Sequence, residues 1–389
     1  MRPKQELSFI TLLLLISFAS VNAVLFTPAL PDIAYFFAVS DDVAQDTITW
    51  FLIAYAIGQL LYGPIANRFG RKSALYLGVG LQIISSLLCA FSGNIHSFSL
   101  LIVGRFLLAL GSGAGLKMTF TLVNECYTPK VASQKIAYLM LGFAVTPGLG
   151  VALGGVLNEY FGWQSCFYAG AVYGLGLLFL ITKLPETQKV LDLNALKIKH
   201  LIQEYITQFK NNQLIAGGFL MGSCASFVYL FGAAAPFIAI NLLGMTSSEY
   251  GIANILPPIG IILGSLWSAR LTKKVPLQII IRKGIFIIGA GTLFMFIAVA
   301  MHGAALFSLF LPMIIIYFGT SLIIANASSL AMSQATDKAH ASAVMSFINM
   351  GTATLLVLGL GFFPVTTIIL PIIYIMLNIM MIIIYKKIF

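Results

Sequence analysis

Hydrophobic residues fall along this chain in long unbroken stretches, not in the short alternating or helically spaced patterns of a soluble fold. Twelve stretches lie near residues 8–30, 47–66, 73–92, 98–123, 134–157 and 163–182, then 213–240, 249–269, 278–300, 304–331, 340–362 and 366–385. Each is close to the ~20 residues that a helix needs to cross the hydrocarbon layer. Each has to be helical, because lipid offers backbone donors and acceptors no other partner. The pattern predicts an all-α membrane protein of twelve transmembrane helices, the first of them kinked and running on past Asp32.

One polar segment, 184–212, interrupts the series after the sixth stretch. Its apolar positions Leu193, Leu196, Ile198, Leu201, Ile202 and Ile206 suit an amphipathic helix lying along the membrane surface. It divides the chain into an N-terminal six-helix bundle (1–183), a linker (184–212) and a C-terminal six-helix bundle (213–389). The two bundles are weak repeats of each other. Arg68-Phe69-Gly70-Arg71-Lys72 returns half a chain later as Arg270-Leu271-Thr272-Lys273-Lys274, and Ala132-Ser133 with Gly142 returns as Ala341-Ser342 with Gly351. Such pseudo-repeats place a substrate site near the membrane midplane, between the bundles.

Composition agrees: 59% of the residues are hydrophobic and 9% charged, against about 25% charged in a soluble domain. The placement of charge fixes an orientation. With the N-terminus inside and twelve crossings, all Lys and Arg residues except Arg105 and Lys117 fall on one side. That side is the cytoplasm under the positive-inside rule. The first outer loop is expected to carry Asp32, Asp41, Asp42 and Asp46. Both termini are then cytoplasmic, in a bacterial-type inner membrane. The net charge of +10 reflects topology and attraction to the bilayer surface, and implies no nucleic acid. Cys89, Cys126, Cys166 and Cys224 have neither metal-ligand nor disulfide spacing. Arg2, Lys4 and the apolar run that follows imitate a signal peptide, but cleavage would upset every later loop, so this is an uncleaved first helix.

The loop between the second and third stretches reads YGPIANRFGRKSALYLG. Gly63, Asn67, Arg68, Gly70, Arg71 and Lys72 match the pattern G-x-x-x-D-R-x-G-R-K of the major facilitator superfamily, except that Asn67 replaces its aspartate. The chain resembles that superfamily, and within it the Bcr/CflA branch of drug-resistance transporters. TPALPDIA at 27–34, GRFLLALGSGAG at 104–115, Glu125-Cys126-Tyr127 and LPET at 184–187 carry the closer likeness. The fifth stretch, GFAVTPGLGVALGG, resembles the antiporter motif of exporters through Gly142, Pro147, Gly148, Gly150, Gly154 and Gly155. Small residues let helices approach closely and Pro147 kinks the helix, which together suit a gate. The resemblance implies alternating access, a proton gradient as the energy source with no bound cofactor, and a latch between halves that Asn67 can serve only without charge.

Arg105 and Lys117, both in the fourth stretch, are the only charges deep in a predicted span. A charge at bilayer depth costs about 3 kcal/mol and marks a functional site by default. Arg105 occupies the position where the resemblance implies ligand or proton coupling. No Asp or Glu lies deep in a span, Val24 stands where the branch commonly has Asp, and His96, His200, His302 and His340 sit at loops or span ends. Asp32 and Glu159 are the nearest carboxylates, and Asp32, with Arg105, is the coupling candidate. A cavity with cations and no anions favours an anionic solute, such as a carboxylate metabolite or citrate-type siderophore. Asn22, Tyr55, Gln59, Tyr229, Asn254, Asn326 and Asn349 are the polar residues expected to complete the site. Paired carboxylates, histidine clusters and Ser/His arrangements are missing, so the sequence does not read as an enzyme. A channel would want a charged ring, and a receptor a larger soluble segment. Import of the same anion remains the alternative to export. No soluble interface is visible, and the chain is expected to work as a monomer.

Overall fold

The computed structural model describes residues 7–188, 191–192, 209, 211–332 and 338–388. Twelve helical elements follow the twelve apolar stretches: α1 Phe9–Phe37, α2 Asp41–Phe69, α3 Arg71–Ser92, α4 Phe98–Cys126, α5 Pro129–Phe161, α6 Gln164–Thr182, α7 Asn212–Leu242, α8 Ser247–Leu271, α9 Leu277–Ala300, α10 Leu306–Met332, α11 Lys338–Leu360 and α12 Ile369–Ile388. Eleven described helices are long and apolar enough to cross a membrane, and the apolar part of α11 is shorter, Val344–Leu360. This is an all-α, multi-pass membrane protein. The surface helix expected over 193–206 lies outside the described residues.

Several helices outrun their apolar stretches, because backbone hydrogen bonding continues into the interface where side chains no longer need to be apolar. α1 does run past Asp32: its first segment ends at Val24, a 3-10 turn at Thr27–Ala29 holds Pro28, and helix resumes at Leu30–Phe37. Asp41, Asp42 and Asp46 are not in a loop as expected. They belong to the first turns of α2, where carboxylates oppose the positive end of the helix dipole. Smaller breaks divide α4 at Gly113 and α8 ahead of Pro257.

Helix pairing repeats between the halves. In the first, α1 packs on α5, α2 and α3 on α4, and α3 on α6; in the second, α7 packs on α11, α8 and α9 on α10, and α9 on α12. The halves meet along α5–α8 and α2–α11, a pair of seams that exchange under the same repeat. The face bearing Arg71 and Lys72 is called the basic face below, and the opposite one the far face.

Candidate functional site

On the far face the halves are latched. Glu159 of α5 accepts a hydrogen bond from the backbone N–H of Ser248 at 2.9 Å, in the first turn of α8. Asn158 Nδ2 donates to Ser247 Oγ at 3.0 Å and to the Asp32 carboxylate, while Ser247 Oγ reaches the Pro28 carbonyl at 3.4 Å. Glycine makes this contact close. A Cβ at Gly155 would run into the Ser247 carbonyl, one at Gly251 would stand 2.9 Å from the Val151 carbonyl, and one at Gly148 2.8 Å from the Asn254 carbonyl.

Below the latch lies a cavity of about 70 Å³ between the halves, lined by Thr27, Pro147, Phe231, Tyr250, Asn254 and Tyr317 among others. Pockets for drug-sized ligands measure about 300–1,000 Å³, so this space is too small for one as it stands. Around it tyrosines gather from four helices. Tyr250 interacts with Asn254 and lies within electrostatic range of Tyr317, which in turn faces Tyr229. Tyr229 of α7 and Tyr55 of α2, in opposite halves, lie within electrostatic range of each other, and Gln59 is one turn from Tyr55 on α2.

Lys117 joins this group through α2. Its ammonium donates to the Gln59 carbonyl at 3.1 Å, next to the Leu60 carbonyl that Pro64 deprives of its helical donor. Space for it exists because residue 63 is glycine: a Cβ there would stand 2.7 Å from Lys117 Nζ. A motif glycine expected to serve the turn thus also seats a cation.

Arg105 is placed elsewhere. It is 1% exposed, inside the N-terminal bundle. Its guanidinium donates to the carbonyls of Asn22 at 2.9 Å, Thr47 at 3.3 Å and Ala23 at 3.5 Å, and lies between Phe26 and Phe51, 3.9 and 4.4 Å from the ring centroids. Two of the carbonyls it holds, Asn22 and Ala23, lie just ahead of the break in α1, and the third, Thr47, is on α2. The Asn22 side chain joins Gln82 at 2.8 Å in the same bundle, and Asn326 bonds Ser268 at 2.8 Å within the other. Asn349 keeps a buried Oδ1 with no partner among the described residues. Asp32 is on the far rim, exposed beside Asn158.

The loop motif forms a separate cluster on the basic face. Arg71 pairs with Glu125 at 2.8 Å and donates to Asn67 Oδ1 at 2.8 Å. Glu186 accepts the backbone N–H groups of Arg71 and Lys72, both at 3.0 Å, capping the N-terminus of α3. Burial acts to raise the Glu186 carboxyl, but the N–H groups of Gln188, Lys72 and Arg71 and the Arg71 charge outweigh it and hold it below the usual carboxylate range. Thr187 donates to Glu125, and Lys72 Nζ to the Thr182 carbonyl at 3.0 Å. Gly70 has φ 98°, and a Cβ there would meet Glu186 Oε2 at 2.7 Å. Arg68 lies over the Phe69 ring.

Of the α5 motif, Gly142, Gly150 and Gly154 face α1 at Leu13, Val24 and Leu25, while Pro147 lines the cavity. Sequence reasoning left out Tyr250 and Tyr317, whose aromatic character looks like ordinary core. It quoted Glu125 and LPET without seeing that they close on Arg71.

The sequence profile of the Major Facilitator Superfamily matches residues 12–361. An uncharacterized transporter of Rickettsia felis is 28% identical, the match covering 80% of this chain and 78% of that one. Multidrug resistance protein D of Escherichia coli is 27% identical over 68% of this chain and 65% of its own, so just under two thirds of that relative is spanned. The partially occluded inward-open structure of the xylose transporter XylE from E. coli superposes with a TM-score of 0.75 at 13% identity, covering 97% and 96% of the two chains. With twelve helices paired identically in two halves and a cavity on the seam between them, the chain belongs to the Major Facilitator Superfamily.

Proposed function

We propose that this protein exports a small organic anion from the cytoplasm across the inner membrane by alternating access, driven by the proton gradient. The observation that carries this is Lys117. Its ammonium sits in the half of α4 nearer the basic face, on a carbonyl of α2, and no carboxylate pairs with it among the described residues. A half-buried cation of this kind is costly unless a ligand or water completes its coordination. The hydroxyls of Tyr55, Tyr229 and Tyr317 beyond it offer donors to carboxylate oxygens, and the latched far face is what a state that loads from the cytoplasm requires. Export as the direction draws support from the glycine-rich α5 and from the similarity to multidrug resistance protein D of E. coli. Asp32, held by Asn158 next to the latch, is the proposed proton carrier.

A second reading rests on the cavity's apolar walls and on the drug-resistance name of the E. coli relative: efflux of an uncharged or cationic drug. Proteoliposomes separate the two. Citrate, as a tricarboxylate probe, should be moved by the unaltered protein and not by Lys117→Gln, with partial recovery in Lys117→Arg. Transport of tetraphenylphosphonium with no transport of citrate would reverse the assignment. Asp32→Asn should abolish proton-driven accumulation while leaving citrate–citrate exchange intact.

A further inference from the structure

The two halves carry the same basic loop in different surroundings. After α2, Arg71 and Lys72 meet Glu125, Glu186 and a helix end. After α8, the corresponding run supplies Arg270, Lys273 and Lys274, and the second turn of α9 adds Arg282 and Lys283, all five exposed. Past residue 211 the chain holds two carboxylates, Glu249 and Asp337. Glu249 caps the far end of α8, and Asp337 lies outside the described residues. Among the described residues none of the five cations has an ion-pair partner.

Beneath these cations the helices leave a cleft. α8 and α9 each pack on α10 far more than on one another. A Cβ at Gly264 would run into the Phe318 carbonyl and one at Gly284 would stand 2.8 Å from the Gly319 carbonyl, so both helices lie hard against the same stretch of α10. Trp267 lies tilted against Phe318 with centroids 5.4 Å apart, and the Lys283 ammonium stands 6.0 Å from the Trp267 ring. On the membrane side Leu263, Leu266 and Phe286 are exposed, Phe286 at 79%. An aromatic floor, an apolar wall and a cationic rim thus coincide at the basic-face ends of α8 and α9.

We propose that the α8–α9 cleft binds an anionic phospholipid, its headgroup phosphate held by Arg270, Lys273, Lys274 and Lys283 and an acyl chain lying against Phe286. Tryptophan seats at the headgroup level, and each cation close to an anionic lipid surface contributes roughly fivefold to partition. The N-terminal loop differs: Glu125 already pairs with Arg71, and the Lys72 ammonium is held by the Thr182 carbonyl. Lipid binding here is independent of the transported solute, so it can fail or hold without bearing on the anion reading.

The test uses Trp267 as reporter. In the full chain carrying Trp50→Phe and Trp163→Phe it is the sole tryptophan. The protein is reconstituted in phosphatidylcholine, and brominated phosphatidylglycerol or brominated phosphatidylcholine is titrated in as quencher. Brominated phosphatidylglycerol should quench at a several-fold lower mole fraction. Lys273→Gln with Lys274→Gln and Lys283→Gln should remove that preference. Lys386→Gln with Lys387→Gln, on the same face at the end of α12, should retain it. Lys283→Gln alone, an exposed substitution, guards against misfolding and should still weaken the preference. Equal quenching by the two lipids, or equal loss of preference in the α12 control, overturns the proposal.

Discussion

α5 and α11 hold corresponding places in the two halves, yet they achieve close packing in opposite ways. In the first half the glycines are on α5: Gly142, Gly150 and Gly154 let it lie against Leu13, Val24 and Leu25 of α1. In the second half they are on the partner, where Gly218 and Gly222 of α7 receive Ile348 and Thr352 of α11, while Gly351 and Gly359 of α11 face open space. What the repeat preserves is the approach of two backbones, not the helix that supplies the small residue. α5 alone carries glycine on a second face, Gly148 and Gly155, and that face closes on α8. With Gly251 of α8 it makes the close contact of the far face, where tight helix approach in lipid rests on small residues.

The sharpest way to break this comparison is to place a side chain on each helix. Gly154→Val forces its Cβ into the Leu25 carbonyl. Overpacking against backbone costs about 1–3 kcal/mol and often more, so the variant should melt far below the parent or fail to accumulate. Gly359→Ala, with nothing within 4 Å, should be neutral or gain about 0.5–1 kcal/mol from helix propensity. Thermal denaturation of the two purified variants in detergent measures both; equal losses would refute the asymmetry.

Arg105 is the next largest difference, since the described part of the C-terminal half buries no cation. Arg105→Met strips the carbonyls of Asn22, Ala23 and Thr47 of a donor, at about 1–3 kcal/mol for each group left unpaired. A drop in melting temperature with or without solute would identify a clamp on the broken turn of α1. An unchanged melt with lost solute affinity would instead return Arg105 to the binding site.

The basic loops differ by less. Glu125→Ala leaves Arg71, a buried guanidinium, without its carboxylate and should cost about 1–3 kcal/mol. Lys273→Ala, on the exposed counterpart loop, should stay within about 0.5 kcal/mol. Chemical denaturation of the pair tests whether only one loop is knit into its half.

The smallest effect is a pH dependence. The Glu186 carboxyl is held below its ordinary value by the N–H groups it accepts. Its folded pKa is therefore lower than its unfolded one, and its stabilisation is present above the ordinary glutamate range and fades as pH falls through the depressed value. The melting gap between the parent and Glu186→Gln should accordingly hold steady from neutral pH down to about pH 4.5 and narrow below it. A gap that widens on acidification would reverse the sign.

The number and order of the helices were legible in the sequence alone, because a bilayer demands ~20 apolar residues per crossing whatever the neighbours are. The sequence also marked the glycines of α5 and the loop motif, since missing side chains and clustered cations are local properties. It could not give the helix ends: Asp41, Asp42 and Asp46 extend α2 because hydrogen bonding outlasts hydrophobicity. Nor could it separate Arg105 from Lys117, two cations on one helix with the same local signal. Only the tertiary structure decided that one is closed in by carbonyls and aromatic rings while the other rests in the gap left by Gly63. The partners of a buried charge come from other helices, distant in sequence, and no local pattern encodes which of them will surround it.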